Sequence, residues 1–446
     1  MKKSISFIVM LLSLTACTSQ PARMSDLNRN GWQATEVPPG STVVSINPTY
    51  SPLEGQINRP NKVFNTKVEK AVDADYVNAL QQFTLDYYGL LDNNENQVFS
   101  PLSIATCYSM LYEGCDGKTR QELENMLHYD DSFNHIEEIQ NMLLRCAIND
   151  SSNNTYLDIA QSVWLKHDGI FKQEYIDYLT NNYYAEAFEN INFATTGKQL
   201  AAQWVNSKTN NFLDVKPSDF DTFNGLTAMV LFNTIYLKSA WAVENLFEET
   251  SNNQKEFDNR DGTTSTVTFM NGHINNSAYY STDEYMISSL PYNHGMNLNI
   301  LLPTSNNDAV LKDNDILNSL LNFKKLQNLE TAKVVWNLPS FKIKSDYGLI
   351  PLLRQLGLEE TFSQFPNFDR MVTPDYKDQL FIRESRHVAG IEVNNKGVEA
   401  AAYTYVQVDE KSAVEKTVRM NINHPFAYSI TTQEGYPLFM GIVNQL

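Results

Sequence analysis

A chain of 446 residues, 42% of them hydrophobic, has the material for a sizeable core, and at this length two domains or one large α/β or α+β unit are expected. Its formal net charge of -18 repels phosphate backbones and argues against nucleic acid as a partner. The four cysteines show no Cys-x-x-Cys spacing and the seven histidines no pair four residues apart, so neither a disulfide framework, a metal site nor a cofactor is expected.

The chain opens with Lys2 and Lys3, an apolar stretch from Ile5 to Leu14, and small residues before Cys17. That is the layout of a secretory signal peptide, and the apolar run is too short to span a bilayer as a helix. Leu14-Thr15-Ala16-Cys17 resembles the lipobox of bacterial lipoproteins. The resemblance implies that residues 1–16 are removed and that Cys17 becomes a lipidated N-terminus inserted in a lipid bilayer. The protein is then expected at the bacterial cell envelope, on the periplasmic side or the cell surface. From Thr18 to about Val72 the chain is polar, with Pro38-Pro39-Gly40 and Ser51-Pro52-Leu53-Glu54-Gly55 and no sustained hydrophobic period. Residues 17–72 are expected to form a flexible tether and residues 73–446 the folded domain.

Apolar residues recur at helical spacing over 73–90, 102–113 and 119–127, so the domain opens with helices. Cys107 and Cys115 stand eight residues apart in what reads as helix, about 12 Å along its axis, too far for a disulfide. Glu113 to Thr119 ends like a phosphate-binding loop, but Tyr112 occupies the place of its first glycine. Gly117-Lys118-Thr119 reads instead as a helix-ending turn before a new helix. No G-x-S-x-G elbow occurs, and no G-x-G-x-x-G follows a strand. Later stretches change to period two or to continuous apolar runs: 157–165, 228–237, 296–302, 332–343, 380–393 and 426–443. Helices followed mostly by strands indicate an α+β fold with large antiparallel sheets.

One segment stands apart. Val388 to Val393 is an apolar strand, Asn394-Asn395-Lys396-Gly397 a turn, and the following run alternates strictly. Positions 398, 400, 402, 404, 406 and 408 are Val, Ala, Ala, Thr, Val and Val, whereas their odd-numbered neighbours are largely polar or amphipathic. Alone, this reads as an ordinary β-hairpin. After Val408, however, Asp409 to Lys416 is charged and glycine-free, so the arm ends in an exposed, protease-accessible stretch.

Gly397-Val398-Glu399-Ala400-Ala401-Ala402-Tyr403-Thr404 resembles the hinge of serpins. Further landmarks of that family follow in order: Asn96 to Ile104, Asn233 to Trp241, Pro291-Tyr292, Leu301-Leu302-Pro303, Leu338 to Ile343, Leu356-Gly357-Leu358, Asn423-His424-Pro425-Phe426 and Leu438 to Val443. The resemblance covers residues 73 to 446. It implies the serpin fold, with large mixed sheets, about nine helices and an exposed reactive-centre loop, in a monomer that is an inhibitor and not an enzyme. A serine or cysteine protease would be trapped covalently when the cut loop enters the main sheet as a new strand. Serpin loop insertion is a standard example of strand addition.

The family's scissile bond lies about fourteen residues past the hinge glycine, which selects Lys411-Ser412 and a trypsin-like target. Lys416 and Arg419 are the fallback positions. The resemblance further assigns Ser100, Ser103, Asn233 and His387 to a polar cluster beneath the sheet that governs its opening, and Trp241 to the place where insertion begins. Val398 replaces the usual Thr or Ser, and Asn395 a common Glu. The competing expectation is a non-inhibitory member serving as a surface binding protein, which bulky Tyr403 and Tyr405 would suit.

Overall fold

The computed structural model describes the backbone of residues 9–16 and all atoms of residues 53–60, 62–91, 94–167, 169–305, 309–397 and 416–446. The first half contains β1 (Val9–Ala16), β2 (Gln56–Asn58), α1 (Ala74–Tyr88), β3 (Gln97–Phe99), α2 (Pro101–Gly114), α3 (Gly117–Met126), α4 (His135–Arg145), β4 (Ile148–Asp150) and β5 (Thr155–Leu165). Next come α5 (Gln173–Tyr183), β6 (Glu186–Phe188), α6 (Gly197–Lys208), β7 (Thr227–Lys238), β8 (Asn253–Asp258), β9 (Thr264–Ser281), β10 (Tyr285–Pro291) and β11 (Asn297–Pro303). The chain ends with α7 (Asn314–Leu321), β12 (Glu330–Pro339), β13 (Phe341–Gly348), α8 (Leu349–Gln355), β14 (Leu380–Val393), β15 (Thr417–Asn421), β16 (Phe426–Thr431) and β17 (Pro437–Val443). Eight α-helices are present among the described residues, against about nine expected.

Two mixed sheets organise the domain. The first has the order β13-β14-β1-β7-β5-β6-β2, with β4 beside β5; the second runs β15-β12-β9-β10-β11-β16-β17-β3, with β8 beside β9. Pairing is antiparallel except between β5 and β6 and between β12 and β15. β7 is buried along all but its last residue, which explains why its sequence is a continuous apolar run instead of an alternation.

α2 lies behind the first sheet. Ser100 caps it, its hydroxyl accepting from the Ser103 amide, and Pro101 occupies the first helical turn, where no amide is needed. All its residues are buried, so the helix runs through the core instead of along its surface. α3 follows directly: Asp116 caps the Gly117 amide, and Gly117 adopts φ +53°. The Gly-Lys-Thr triplet is thus a helix start. Cys107, Cys115 and Cys146 are free and buried, and burial pushes the Cys146 thiol up to about 12.

The N-terminal region differs from expectation in two places. Part of the expected tether belongs to the fold: β2 pairs with β6, and Lys62 reaches Asp158 at 2.6 Å and the Ile159 carbonyl at 2.7 Å. A polar stretch with Pro and Gly can still add an edge strand, because such a strand needs only backbone groups. The expected signal segment also contributes to the sheet, as β1 between β14 and β7. Its uncharged sequence is as competent for a buried strand as for a leader. Cys17 lies outside the described residues.

Candidate functional site

β14 and β7 flank β1 in the first sheet and do not pair with each other. β1 lies between their lower parts, from Val388 to Leu380 on one side and from Asn233 to Thr227 on the other. Above this, no strand of the described residues joins Ala389–Val393 to β7. A small cavity there is lined by Ile235 and Leu237 of β7, Gly390 and Ile391 of β14, and Ile430 and Phe439 of the second sheet.

The hinge sits at the head of this slot. Asn394 and Gly397 form an isolated antiparallel bridge, exchanging amide-to-carbonyl bonds of 3.1 and 3.0 Å, and the Asn394 side chain accepts from the Lys396 amide at 2.9 Å. Gly397 has φ +110°, and a Cβ there would fall 2.8 Å from the Ala240 Cα and closer still to the Ser239 carbonyl. Both conformation and space therefore require glycine. Trp241 covers the same point. Its indole N–H donates to the Asn394 carbonyl at 3.2 Å, and its ring stacks on Tyr292 with centroids 4.5 Å apart.

Below the hinge the four polar residues named from sequence are gathered between α2 and the slot, all completely buried. The Ser100 amide donates to His387 Nε2 at 3.0 Å, and the Ser103 hydroxyl donates to Asn233 Oδ1 at 2.5 Å. Because Nε2 accepts, the ring proton is on Nδ1, and burial holds the imidazole neutral by lowering its pKa to about 3. Neither His387 Nδ1 nor Asn233 Nδ2 has a hydrogen-bond partner among the described residues.

Sequence reasoning missed four neighbours. Tyr347 stacks on His387, Tyr108 bonds Ser385 at 2.7 Å, and the Gln161 amide, on β5 opposite Asn233, is buried without a partner among the described residues. For Gln161 and Ser385 the signal available was the strand pattern, a polar residue at a buried position of β5 and of β14.

The arm itself, Val398, Glu399, Ala400, Ala401, Ala402, Thr404 and the Lys411-Ser412 bond, lies outside the described residues. The fallback positions do not. The Lys416 carbonyl accepts from the Lys333 amide at 2.8 Å and its ammonium pairs with Glu330 at 2.5 Å, while Arg419 is a β15 residue opposite Val335. A protease needs an extended, free segment, and both residues are held against β12.

Residues 78–446 match the family described as Serpin (serine protease inhibitor). The chain belongs to the serpin family. A serpin-like protein of Thermococcus kodakarensis is 27% identical over 412 residues, covering 89% of this chain and 91% of its own. Serpin B4 of Homo sapiens is 28% identical, over 76% of this chain and 90% of its own. The crystal structure of tengpin, a thermophilic serpin in the native state, superposes with a TM-score of 0.70 at 22% identity, covering 86% of this chain and 97% of its own. The slot of this serpin therefore lies in a fold shared with solved members, and its polar floor is built from Ser100, Ser103, Asn233 and His387.

Proposed function

We propose that this serpin is a suicide-substrate inhibitor of a serine or cysteine protease, cut at Lys411-Ser412, whose arm then enters the slot between β14 and β7. The observation that carries this reading is the Asn394–Gly397 bridge, because it sets the register of the arm. If insertion continued that register along β14, Val398 would face Val393, Ala400 Ile391, Ala402 Ala389, Thr404 His387 and Val406 Ser385. Directly opposed residues of antiparallel strands share a face. Ser385, His387, Ala389, Ile391 and Val393 are all buried, so the small and apolar side chains of the arm turn inward. Alanines at 400 and 402 suit the narrow cavity at the slot's head. Tyr403 and Tyr405 would then take the opposite face, away from α2.

The lengths also agree. β14 offers 14 residues from Val393 to Leu380, and the register brings Lys411 opposite Leu380, at the foot of the sheet. A protease bound there as an acyl-enzyme, its nucleophile on the Lys411 carbonyl carbon and the Ser412 amine released, would be carried the length of the strand. Each new ladder bond contributes about 0.5 to 1.5 kcal/mol, so the inserted arm supplies on the order of 10 kcal/mol before side-chain burial. Lysine before the cut suits a trypsin-like pocket. The lipobox-like sequence supports anchoring through Cys17 at a bacterial envelope.

Incubation with a trypsin-like protease tests the reading. A complex that survives denaturant in the wild type, disappears in Lys411→Ala and gives way to plain cleavage in Ala400→Arg is the expected result. Cleavage of the wild type without any such complex would favour the non-inhibitory binding protein.

A further inference from the structure

A cavity of about 600 Å³ opens beside β4, is lined from both sheets, and shares no lining residue with the slot. Volumes of this size are usual for small-molecule sites. The first sheet contributes Ile148 and Asp150 of β4 and Leu157 of β5. The second contributes His294 and Met296 from the β10–β11 connection and Glu434 from the β16–β17 connection, and α4 contributes Leu144 and Arg145. Ala147, Leu157 and Met296 are buried and give the cavity an apolar floor, whereas Lys67, His294 and Glu434 stand at its rim.

The walls are braced by their own bonds. Asp150 accepts from the amides of Ser152 and Asn153 at 3.0 and 3.2 Å and lies 2.9 Å from His294 Nε2. Asn65 closes the outer edge of β4, its side-chain amide donating to the Asn149 carbonyl at 2.8 Å and its side-chain oxygen accepting from the Asn149 amide at 2.9 Å. Both His294 and Asn65 have φ +57°, a left-handed backbone that non-glycine residues seldom adopt. Strained residues of this kind persist where their surroundings over-determine them, and they gather at ligand clamps.

The polar feature of the cavity is one ion pair with two unused positions. Arg145 ends α4, and its guanidinium donates from Nε to Asn141 Oδ1 at 2.9 Å and from Nη2 to the Val68 and Lys70 carbonyls at 3.3 and 2.7 Å. Its Nη1 donates to Glu434 Oε1 at 3.2 Å, which leaves one of the five N–H groups, on Nη1, unused. Glu434 Oε2 accepts no hydrogen bond among the described residues, and the two side chains are 21% and 26% exposed, open to a ligand. A donor and an acceptor of opposite charge therefore stand side by side above an apolar floor. An α-amino acid is their complement, because it carries a carboxylate for Arg145, an ammonium for Glu434 and an apolar side chain for the floor on one carbon atom. A simple anion or cation would satisfy one partner and be repelled by the other. We infer that this cavity binds an apolar α-amino acid, or a dipeptide of such residues, through Arg145 and Glu434. Lys67, exposed and without an acidic partner among the described residues, is the cation for the more distant carboxylate of a dipeptide. The site lies outside the slot, so the inference does not depend on the inhibitory reading.

Isothermal titration calorimetry on the full chain tests this with leucine and leucyl-leucine as probes. At least one of them should bind, and the melting temperature of the chain should rise with its concentration. N-acetyl-leucine lacks the ammonium and leucinamide the carboxylate, and each should bind at least tenfold more weakly than leucine, as the loss of a charged hydrogen bond requires. Glu434→Gln should weaken binding of the probes to the same extent, and Leu144→Trp, which fills the floor without touching either charge, should block it. Preference for leucine would place the ligand carboxylate on Arg145. Preference for leucyl-leucine would place it on Lys67, and Lys67→Ala should then lose that preference. No binding of either probe at millimolar concentration, equal affinity for the free and capped forms, or equal affinity in wild type and Glu434→Gln would overturn the inference. The capped ligands decide the matter on the wild type alone should a variant fail to fold.

Discussion

The backbone amide of Ser100 donates to Nε2 of His387 at 3.0 Å, across 287 positions of sequence. This bond ties the start of α2 to the slot strand β14, and it makes the neutral imidazole part of the structure. Burial lowers the His387 pKa to about 3, against about 6.5 in an unfolded chain. Between these values the unfolded state binds the extra proton, so this contribution to stability is fully present above about pH 6.5 and is lost as the pH falls toward 3. Urea unfolding should show a loss of about 2 kcal/mol from this group between pH 7 and pH 5. His387→Gln, which keeps an acceptor for the Ser100 amide, should flatten that part of the profile. A His387→Gln profile as steep as that of the wild type would place the titration elsewhere.

Gly397→Ala should destabilise the chain by about 1 to 3 kcal/mol, from strain at φ +110° and from the collision of Cβ with the backbone at Ser239 and Ala240. Backbone neighbours cannot rotate out of the way as a side chain could. Lys396→Ala, one residue earlier in the same turn, should be nearly neutral, because only its backbone amide is used, as donor to Asn394. Thermal or urea denaturation of the two variants compares these effects directly, and equal stabilities would show that the turn does not need its glycine.

Much of this arrangement is legible in the sequence. The three opening helices and six later strand-bearing stretches follow from periodicity, and glycine at 397 from its place between a strand and an alternating arm, whereas the later helices leave no comparable mark. The four polar residues under the slot came from the family resemblance and not from pattern, since Ser100 and His387 are meaningless until two distant segments meet. Gln161 was missed because a polar residue in an apolar run has no visible partner in one dimension. An uncharged apolar octet satisfies both the requirements of a signal segment and those of a central strand, and in the structure Val9–Ala16 pairs between β14 and β7. The 53–72 stretch read as tether because edge pairing uses backbone groups, which leave no mark on composition.

Trp241 closes the head of the slot through its stack on Tyr292 and its bond to the Asn394 carbonyl. Trp241→Ala should cost about 3 to 5 kcal/mol, as large aromatic truncations in cores do. It should also free the hinge, so that preparations lose protease-trapping capacity on storage by premature insertion. Paired measurements of melting temperature and residual inhibition over days check this. A destabilised variant with undiminished trapping over time would confine the role of Trp241 to packing.

The last prediction joins the orphaned donors to the arm. His387 Nδ1 and Asn233 Nδ2 are buried without partners among the described residues, and a buried unsatisfied donor costs about 1 to 3 kcal/mol. On insertion in the proposed register Thr404 would face His387, and across the slot Asn233 shares the rung of His387. The threonine hydroxyl can accept from either donor. Thr404→Val keeps the shape and removes the acceptor. It should leave the uncleaved chain unchanged in stability and lower that of the loop-cleaved, inserted form by about 1 to 3 kcal/mol. More protease should then escape per inhibitor consumed, because a weaker insertion drags the acyl-enzyme more slowly. Denaturation of intact and loop-cleaved samples of both variants decides the matter: an equal effect on the two forms would show that Thr404 does not meet His387 or Asn233 on insertion.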